Sequence, residues 1–321
     1  MQNKNTQKCE VVIVGAAHTD LQLIPVGKDL FDRASYTVKQ MMLTVGGDAL
    51  NESTIITRLG HRVRLISCIG DDQIGKIVIE HCEKNHIDTT YLKQDPQKTT
   101  SINVGLISKD GERIFINNRS GSIWTFGPND INLEAIKDAR ILSFASYFNN
   151  PMLTEEIILK IFKKAKQQGM LICADIVGSK NGEQLSDISR SLSYVDYFFP
   201  NYDEASELTH QTELEKIADV LLNIGVKNIV IKIGKRGCFI KNSVGSKIIE
   251  AFHATHPLDT TGAGDNFAAG FISGLLEGMT INDCCKMANC AASIAVETVG
   301  ATNGINNREE LEKRYQEYLV Q

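Results

Sequence analysis

Strands and helices that alternate along the second half of the chain predict an α/β protein, a doubly wound, mainly parallel sheet flanked by helices. Two further observations shape that expectation. Strand-like runs at 21–26 and 35–45, which do not alternate with helices, and a hairpin signal at 99–117 predict a small discontinuous β-sheet beside the main one. No repeat, low-complexity tract or linker interrupts the chain, so residues 1–321 read as a single domain, with the small sheet drawn from residues about 20–45 and 97–120.

Taken in order, Glu10-Val11-Val12-Ile13-Val14-Gly15 is a buried strand ending in glycine. The stretch that follows, Gly15 to Asp20, lacks the G-x-G-x-x-G spacing of a dinucleotide site. Asp20 follows the strand's C-terminal end, where open α/β sheets bind ligands; a turn residue is the alternative. Gly46-Gly47-Asp48-Ala49-Leu50-Asn51 runs into a helical pattern at 49–59. Adjacent glycines admit a ligand to the backbone, and Asp48 and Asn51 can hydrogen-bond hydroxyl groups; a glycine turn with an Asp cap competes with that reading. Residues 62–70 read as a strand. Asp71-Asp72 reads as the N-terminal feature of a helix to about Asn85 rather than as a metal site.

Asp110-Gly111 is the turn of a hairpin between 99–107 and 112–117, which predicts a mostly antiparallel small sheet. Arg119 lies where the hairpin returns, either to reach an anionic substrate or to sit on a solvated surface. From residue 140 the alternation is regular. Strands are expected at 140–145, 170–175 with Asp175 at its end, 195–200, 228–233, 238–241 and 247–251. Helices are expected at 154–168, after Asn201, and at 214–224, 280–297 and 309–320.

The chain has 321 residues, 42% hydrophobic and 23% charged, ordinary for a globular protein. A formal net charge of −5 gives no basic footprint for nucleic acid. The polar segment 2–8 is followed by no secretory apolar core, and no apolar run is long enough to span a bilayer, so the expectation is a cytoplasmic protein without a membrane partner. The eight cysteines form no C-x-x-C pair and read as reduced core residues.

The most informative stretch is Asp259-Thr260-Thr261-Gly262-Ala263-Gly264-Asp265-Asn266-Phe267. Gly262, Ala263 and Gly264 leave their backbone N–H groups open to an anion, and the pattern after them turns helical. A helix N-terminus with exposed amides favours a phosphate. Asp265 is then out of place, because a carboxylate repels phosphate. A general base for an attacking hydroxyl would account for it, and so would a plain helix cap.

Four motifs stand in order along the chain: Gly46-Gly47 with Asn51, Asn201-Tyr202-Asp203-Glu204, Gly234-Lys235-Arg236-Gly237 and the nine-residue stretch at 259–267. Together they resemble the G-G-x-x-x-N, N-x-x-E, G-x-x-G and D-T-x-G-A-G-D-x-F signatures of the ribokinase-like family, also called PfkB-type carbohydrate kinases. The resemblance covers nearly the whole chain. It implies Asp265 as catalytic base and the amides of Gly262, Ala263 and Gly264 as an anion hole. It implies Asn201 and Glu204 around magnesium and the triphosphate of ATP, mostly through water, with Gly234 and Gly237 against the nucleotide and Asn289 near adenine. Asp20, Gly46, Gly47 and Asn51 match sugar-hydroxyl contacts, and Gly46-Gly47-Asp48-x-x-Asn51 looks like the ketodeoxygluconate kinase version of that motif. The small sheet matches a lid that often forms a dimer interface. Asp259 and Thr261, with backbone near Gly300, resemble a monovalent-cation site of the kind that takes potassium.

The chain also departs from the pattern. Lys232 stands where the family often has threonine, to meet a phosphate or to point outward. The strand Ser143-Phe144-Ala145-Ser146-Tyr147-Phe148 carries no acid where ribokinases have a glutamate, and Asp175-Ile176-Val177-Gly178 is not the D-x-N-x-R of fructokinase and ketodeoxygluconate kinase relatives. Arg119 would suit a sugar-acid carboxylate. The expected function is an ATP- and magnesium-dependent kinase acting on a primary hydroxyl of a sugar or sugar acid. The alternatives are a nucleoside kinase, with Tyr147, Phe148 and Trp124 lining a base slot, and a catalytically silent sensor.

Overall fold

The computed structural model describes residues 8–110, 112–254 and 256–320. The first seven residues, the hairpin-turn residue Gly111, Thr255 and Gln321 lie outside the described residues. Thirteen strands are described: β1 (Val11–Val14), β2 (His18–Ile24), β3 (Gln40–Gly46), β4 (Val63–Gly70), β5 (Leu92–Asp95), β6 (Ile102–Ile107), β7 (Arg113–Asn117), β8 (Ile141–Tyr147), β9 (Leu171–Ile176), β10 (Tyr197–Phe198), β11 (Asn228–Lys232), β12 (Cys238–Asn242) and β13 (Gly245–Ile249). The helices are α1 (Asp48–Arg58), α2 (Gln73–Lys84), α3 (Ser122–Thr125), α4 (Glu155–Gln167), α5 (Ser189–Leu192), α6 (Tyr202–Thr209), α7 (Leu214–Ile224), α8 (Ala263–Leu276), α9 (Ile281–Ala295) and α10 (Arg308–Leu319).

Nine strands form one sheet in the order β13-β12-β11-β10-β9-β8-β1-β4-β5. The run from β11 to β5 is parallel, and β12 and β13 extend it antiparallel. Its centre reads as continuous apolar sequence because both faces are covered. In β1, Val11 and Ile13 pack into the core shared with α1, α8 and α9, while Val12 and Val14 enter the core shared with α4 and α7. All four are fully buried.

The second sheet has the order β3-β2-β6-β7. Its two outer pairings are antiparallel, as the hairpin signal predicts, but its central pairing, β2 with β6, is parallel. Both strands lead out of the main body side by side, Thr19 opposite Ile102, and β3 and β7 bring the chain back on either side. β5 and the very short β10 differ most from the sequence reading. β5 is Leu-Lys-Gln-Asp, only Leu92 of it buried, too short and polar to show a strand period.

The eight cysteines are free thiols, seven of them buried, as expected. Asp72 caps α2, its Oδ1 accepting from Gly75 N at 2.7 Å, which is the structural role read for the Asp71-Asp72 pair. Among the described residues no helix is long and apolar enough to cross a membrane.

Candidate active site

The carboxyl edge of the large sheet and the inner face of the small one enclose a cavity of about 840 Å³. Of the residues expected to bind substrate, nucleotide or metal or to catalyse, all line it except Gly46, Arg119 and Asp259. Fold topology explains the convergence: β9 and β11 end there, and α1, α6 and α8 begin there.

The turn before α8 fits its expected shape. Gly262 has φ +74°, and a Cβ there would lie 2.5 Å from Ala301 Cα, so neither backbone conformation nor space admits another residue. Asn266 locks the turn from within α8, its Nδ2 donating to the carbonyls of Gly262 and Ala301 at 2.8 Å each. Asp259 braces it from outside: Oδ1 accepts from Thr261 N and Oγ1, and Oδ2 accepts from Gly300 N at 3.0 Å. Asp259 and Thr261 thus meet the backbone at Gly300, with both carboxylate oxygens already serving the turn.

Asp265 does not cap α8. Its Oδ2 accepts from Asn51 Nδ2 at 2.7 Å, across 214 residues of sequence. The carboxyl lies half-buried on the cavity wall. Burial pushes its pKa up from 3.8 to about 7, helped by the negative charge of Asp48 and opposed by the Asn51 hydrogen bond. Asn51 Oδ1 is buried and has no partner. Asp48 is fixed by three donors: Ala16 N at 3.0 Å and Ala49 N at 2.7 Å to Oδ1, and Asn149 Nδ2 at 2.6 Å to Oδ2. Gly47 has φ +100°, and a Cβ there would lie 2.4 Å from the Ala16 carbonyl oxygen; this close approach seats α1 against the loop after β1.

Lys232 points into the cavity. Its Nζ pairs with Asp175 Oδ2 at 2.5 Å and lies 3.2 Å from where a Cβ on Gly264 would be, so an ammonium stands beside the amide turn. Burial alone would lower the Lys232 pKa, but Asp175 and Glu204 reverse that and hold it raised. Burial pushes the carboxyls of Asp175 and Glu204 up, with Lys232 pulling both the other way. Asn201 and Glu204 form a reciprocal capping box on α6: Asn201 Oδ1 accepts from Glu204 N at 2.9 Å, and Glu204 Oε2 accepts from Asn201 N at 2.8 Å. A structural cap therefore accounts for both ends of the N-x-x-E motif, and Asn201 and Glu204 also line the cavity. Among the described residues no group of three His, Cys, Asp or Glu side chains is arranged to hold a metal ion.

The opposite end of the cavity is polar and reaches the small sheet. Asp20, Gln22 and Asn103 line it, with Asn103 Nδ2 donating to Asp20 Oδ1 at 3.2 Å. Gly46 does not line it but makes room for it, since a Cβ there would fall 2.1 Å from Asp20 Oδ2. His18 Nδ1 and Gln22 Oε1 are buried and unpartnered. Of these side chains His18, Gln22 and Asn103 escaped the sequence reading, although Asp20 and Gln22 alternate along β2 with Leu21 and Leu23 and could have shown which side faces a ligand. Asp175 was legible only as a strand end. Asn149, in the loop after β8, carries no pattern of its own.

Two expectations need correction. Arg119 is exposed and lies over the Trp124 ring, 5.2 Å from its centroid, rather than on the cavity wall, because the turn at Asn118–Gly121 carries it outward. Tyr147 cannot form a base slot. It is fully buried, donates to Ser191 Oγ at 3.0 Å and packs edge-on against Phe144, Phe162 and Phe198. Phe148 packs on Tyr147 and Trp124 donates to Asn117, and neither lines the cavity; Phe115 is the aromatic that does so at this end.

This fold and site define a sugar-kinase class, and the comparisons with known proteins agree. Residues 8–308 match the model of the pfkB family carbohydrate kinases, and the chain belongs to that family. It is a phosphotransferase with an alcohol group as acceptor, on the ribokinase-like fold. It is similar to a ribokinase of Haemophilus influenzae, 28% identical, with 85% of this chain and 88% of that one covered. It is also similar to a 2-dehydro-3-deoxygluconokinase of Bacillus subtilis, 24% identical, with 83% and 85% covered. The structure of an Arabidopsis thaliana ribokinase complexed with ribose and ATP superposes with a TM-score of 0.84 at 23% identity, covering 97% of this chain and 99% of that one.

Proposed function

We propose that this protein transfers the γ-phosphate of ATP to a primary hydroxyl of a sugar or sugar acid, with Asp265 as general base. The observation that carries the reading is the Asp265 carboxyl itself: it faces the cavity beside an amide turn, its Oδ2 is held by Asn51, and its pKa is raised to about 7. Held at one oxygen, it presents the other to an acceptor hydroxyl and takes its proton as the oxygen attacks phosphorus. A base that titrates near neutrality combines adequate ionisation with adequate basicity. The N–H groups of Gly262, Ala263 and Gly264, at the positive end of the α8 dipole, stabilise charge on the transferred group. Lys232 adds a full positive charge, and Asp175 keeps its ammonium aimed at the turn.

Gly234, Gly237 and Asn289 form the nucleotide end. Asn289 Nδ2 donates to the carbonyls of Ile249 and Glu250, which fixes the wall there. Magnesium fits this donor set, because it needs few protein ligands and keeps water; Glu204, with Asn201, would hold it and it would neutralise phosphate charge. A potassium ion would sit by Asp259 and Thr261, where it would steady the amide turn.

Asp20, Gly47, Asp48 and Asn51 recognise acceptor hydroxyls. A sugar acid has its own support. Lys180, 5.4 Å from the Trp124 ring centroid, is the cation that carries it, while Arg119 on the same ring stays outside the cavity. Lys180 donates to Asn149, which in turn donates to Asp48 on the cavity wall. The small sheet acts as a lid that excludes water on closing, and its outer face pairs two copies of the chain. ADP release with ATP and magnesium across aldoses, sugar acids and nucleosides tests the reading. A sugar or sugar acid should give the signal, and a signal confined to nucleosides would overturn it.

A further inference from the structure

The nucleotide end of the cavity is walled by a segment with little structure of its own. Ala251, Phe252, His253 and Ala254 follow β13 without joining any helix or strand, and among the described residues no backbone hydrogen bond is made within 251–257. Something else has to hold Phe252 and its neighbours in place. Asn289 of α9 binds the two carbonyls just before them. Phe252 also packs against the core shared with α8 and α9, and further supports come from α10, a helix that begins where the family match ends at residue 308.

Arg314 is the centre of this arrangement. Its guanidinium lies 4.7 Å from the Phe252 ring centroid. Nη1 donates to Ser293 Oγ at 3.0 Å, and Ser293, like Phe252, lines the cavity. Nη2 pairs with Glu297 at 2.8 Å, which neutralises the charge and fixes the plane of the fork. One turn further along, Tyr318 donates to the Glu250 carbonyl at 2.9 Å. A helix outside the cavity thus grips both sides of its wall, the loop through Phe252 and α9 through Ser293.

We infer that Arg314 is a positioning residue for the nucleotide base, with Tyr318 as its auxiliary. It holds the Phe252 ring and Ser293 at a fixed separation, so that the slot between them is formed before the base arrives. Arg314 touches neither phosphate nor acceptor, so its effect falls on the base-binding end alone. The inference rests on the assignment of that end of the cavity to the nucleotide. Without that slot formed in advance the base would have to order the wall as it binds, which costs about tenfold in affinity.

The test uses the full chain with Arg314→Gln, Arg314→Lys and Tyr318→Phe. Affinities for ATP, AMP and inorganic tripolyphosphate are read from protection against thermal unfolding, and KM values from ADP release. Arg314→Gln should weaken ATP and AMP about tenfold and leave tripolyphosphate affinity, acceptor KM and kcat at saturating ATP unchanged. Arg314→Lys, which keeps the charge but not the fork that joins Ser293 and Glu297, should recover only a small part of the loss, and Tyr318→Phe should show the same pattern as Arg314→Gln more weakly. Equal ATP affinity in wild type and Arg314→Gln overturns the inference and leaves the kinase reading standing. So does a parallel loss of tripolyphosphate affinity, which would mark a general loosening. Failure of the wild type to bind any adenine nucleotide would bring down the nucleotide assignment and this inference with it.

Discussion

Asp265 carries a cost that the rest of the site has to meet. Its folded-state pKa is raised, so ionisation is disfavoured in the folded protein: stability falls as pH rises from about 4 to about 7 and is level above that. Asp265→Asn should therefore unfold at a temperature a few degrees above wild type at pH 8, and at the same temperature near pH 4. Calorimetry at the two pH values checks both halves. On the proposed mechanism catalysis has the opposite slope, since Asp265 would work ionised. kcat/KM should rise through a limb near pH 7 and then level off, and Asn51→Ala, which removes the hydrogen bond that lowers this pKa, should move the limb upward. At this scale the sequence was legible where a residue's chemistry conflicts with its surroundings, as with a carboxylate beside a phosphate turn. It left open whether Lys232 meets a phosphate or points outward, because that direction depends on a partner 57 residues away at Asp175.

At the level of elements, the small sheet has two unlike faces. Strand pairing puts Leu21, Leu23, Met41, Leu43, Val104, Leu106, Ile114 and Ile116 on one side, and Asp20, Gln22 and Asn103 on the cavity side. Met41, Leu43, Ile114 and Ile116 are exposed. A contiguous apolar face on a thin sheet calls for a partner, and a second copy offers the same face in return. Leu43→Asp combined with Ile114→Asp should convert a dimer to a monomer in light scattering, with the isolated fold unchanged by circular dichroism; a wild-type monomer would contradict the proposal. Strands with a clear period or a buried apolar run were readable in advance, and so was the hairpin. The parallel partnering of β2 and β6 was not, because a strand's direction relative to a distant neighbour is set by where each leaves the main body rather than by its own composition.

Across the whole molecule, the site exists because topology gathers ends. The carboxyl ends of β9 and β11 and the N-termini of α1, α6 and α8 meet at one edge of the large sheet, and the small sheet closes the opposite wall. The four ordered motifs were visible in the sequence because each marks such an end. The cavity's remaining wall was not visible, since Phe252, His253 and Asn149 lie in irregular segments held by side chains from elsewhere. Whether this gathering serves proton transfer at Asp265 is decided by Asp265→Asn. ATP binding and acceptor-dependent ADP release should be measured on the same preparation. ATP affinity should stay within about twofold of wild type, and turnover should fall by about 10²–10⁴-fold. Turnover close to wild type, with ATP bound as before, would contradict proton transfer at Asp265.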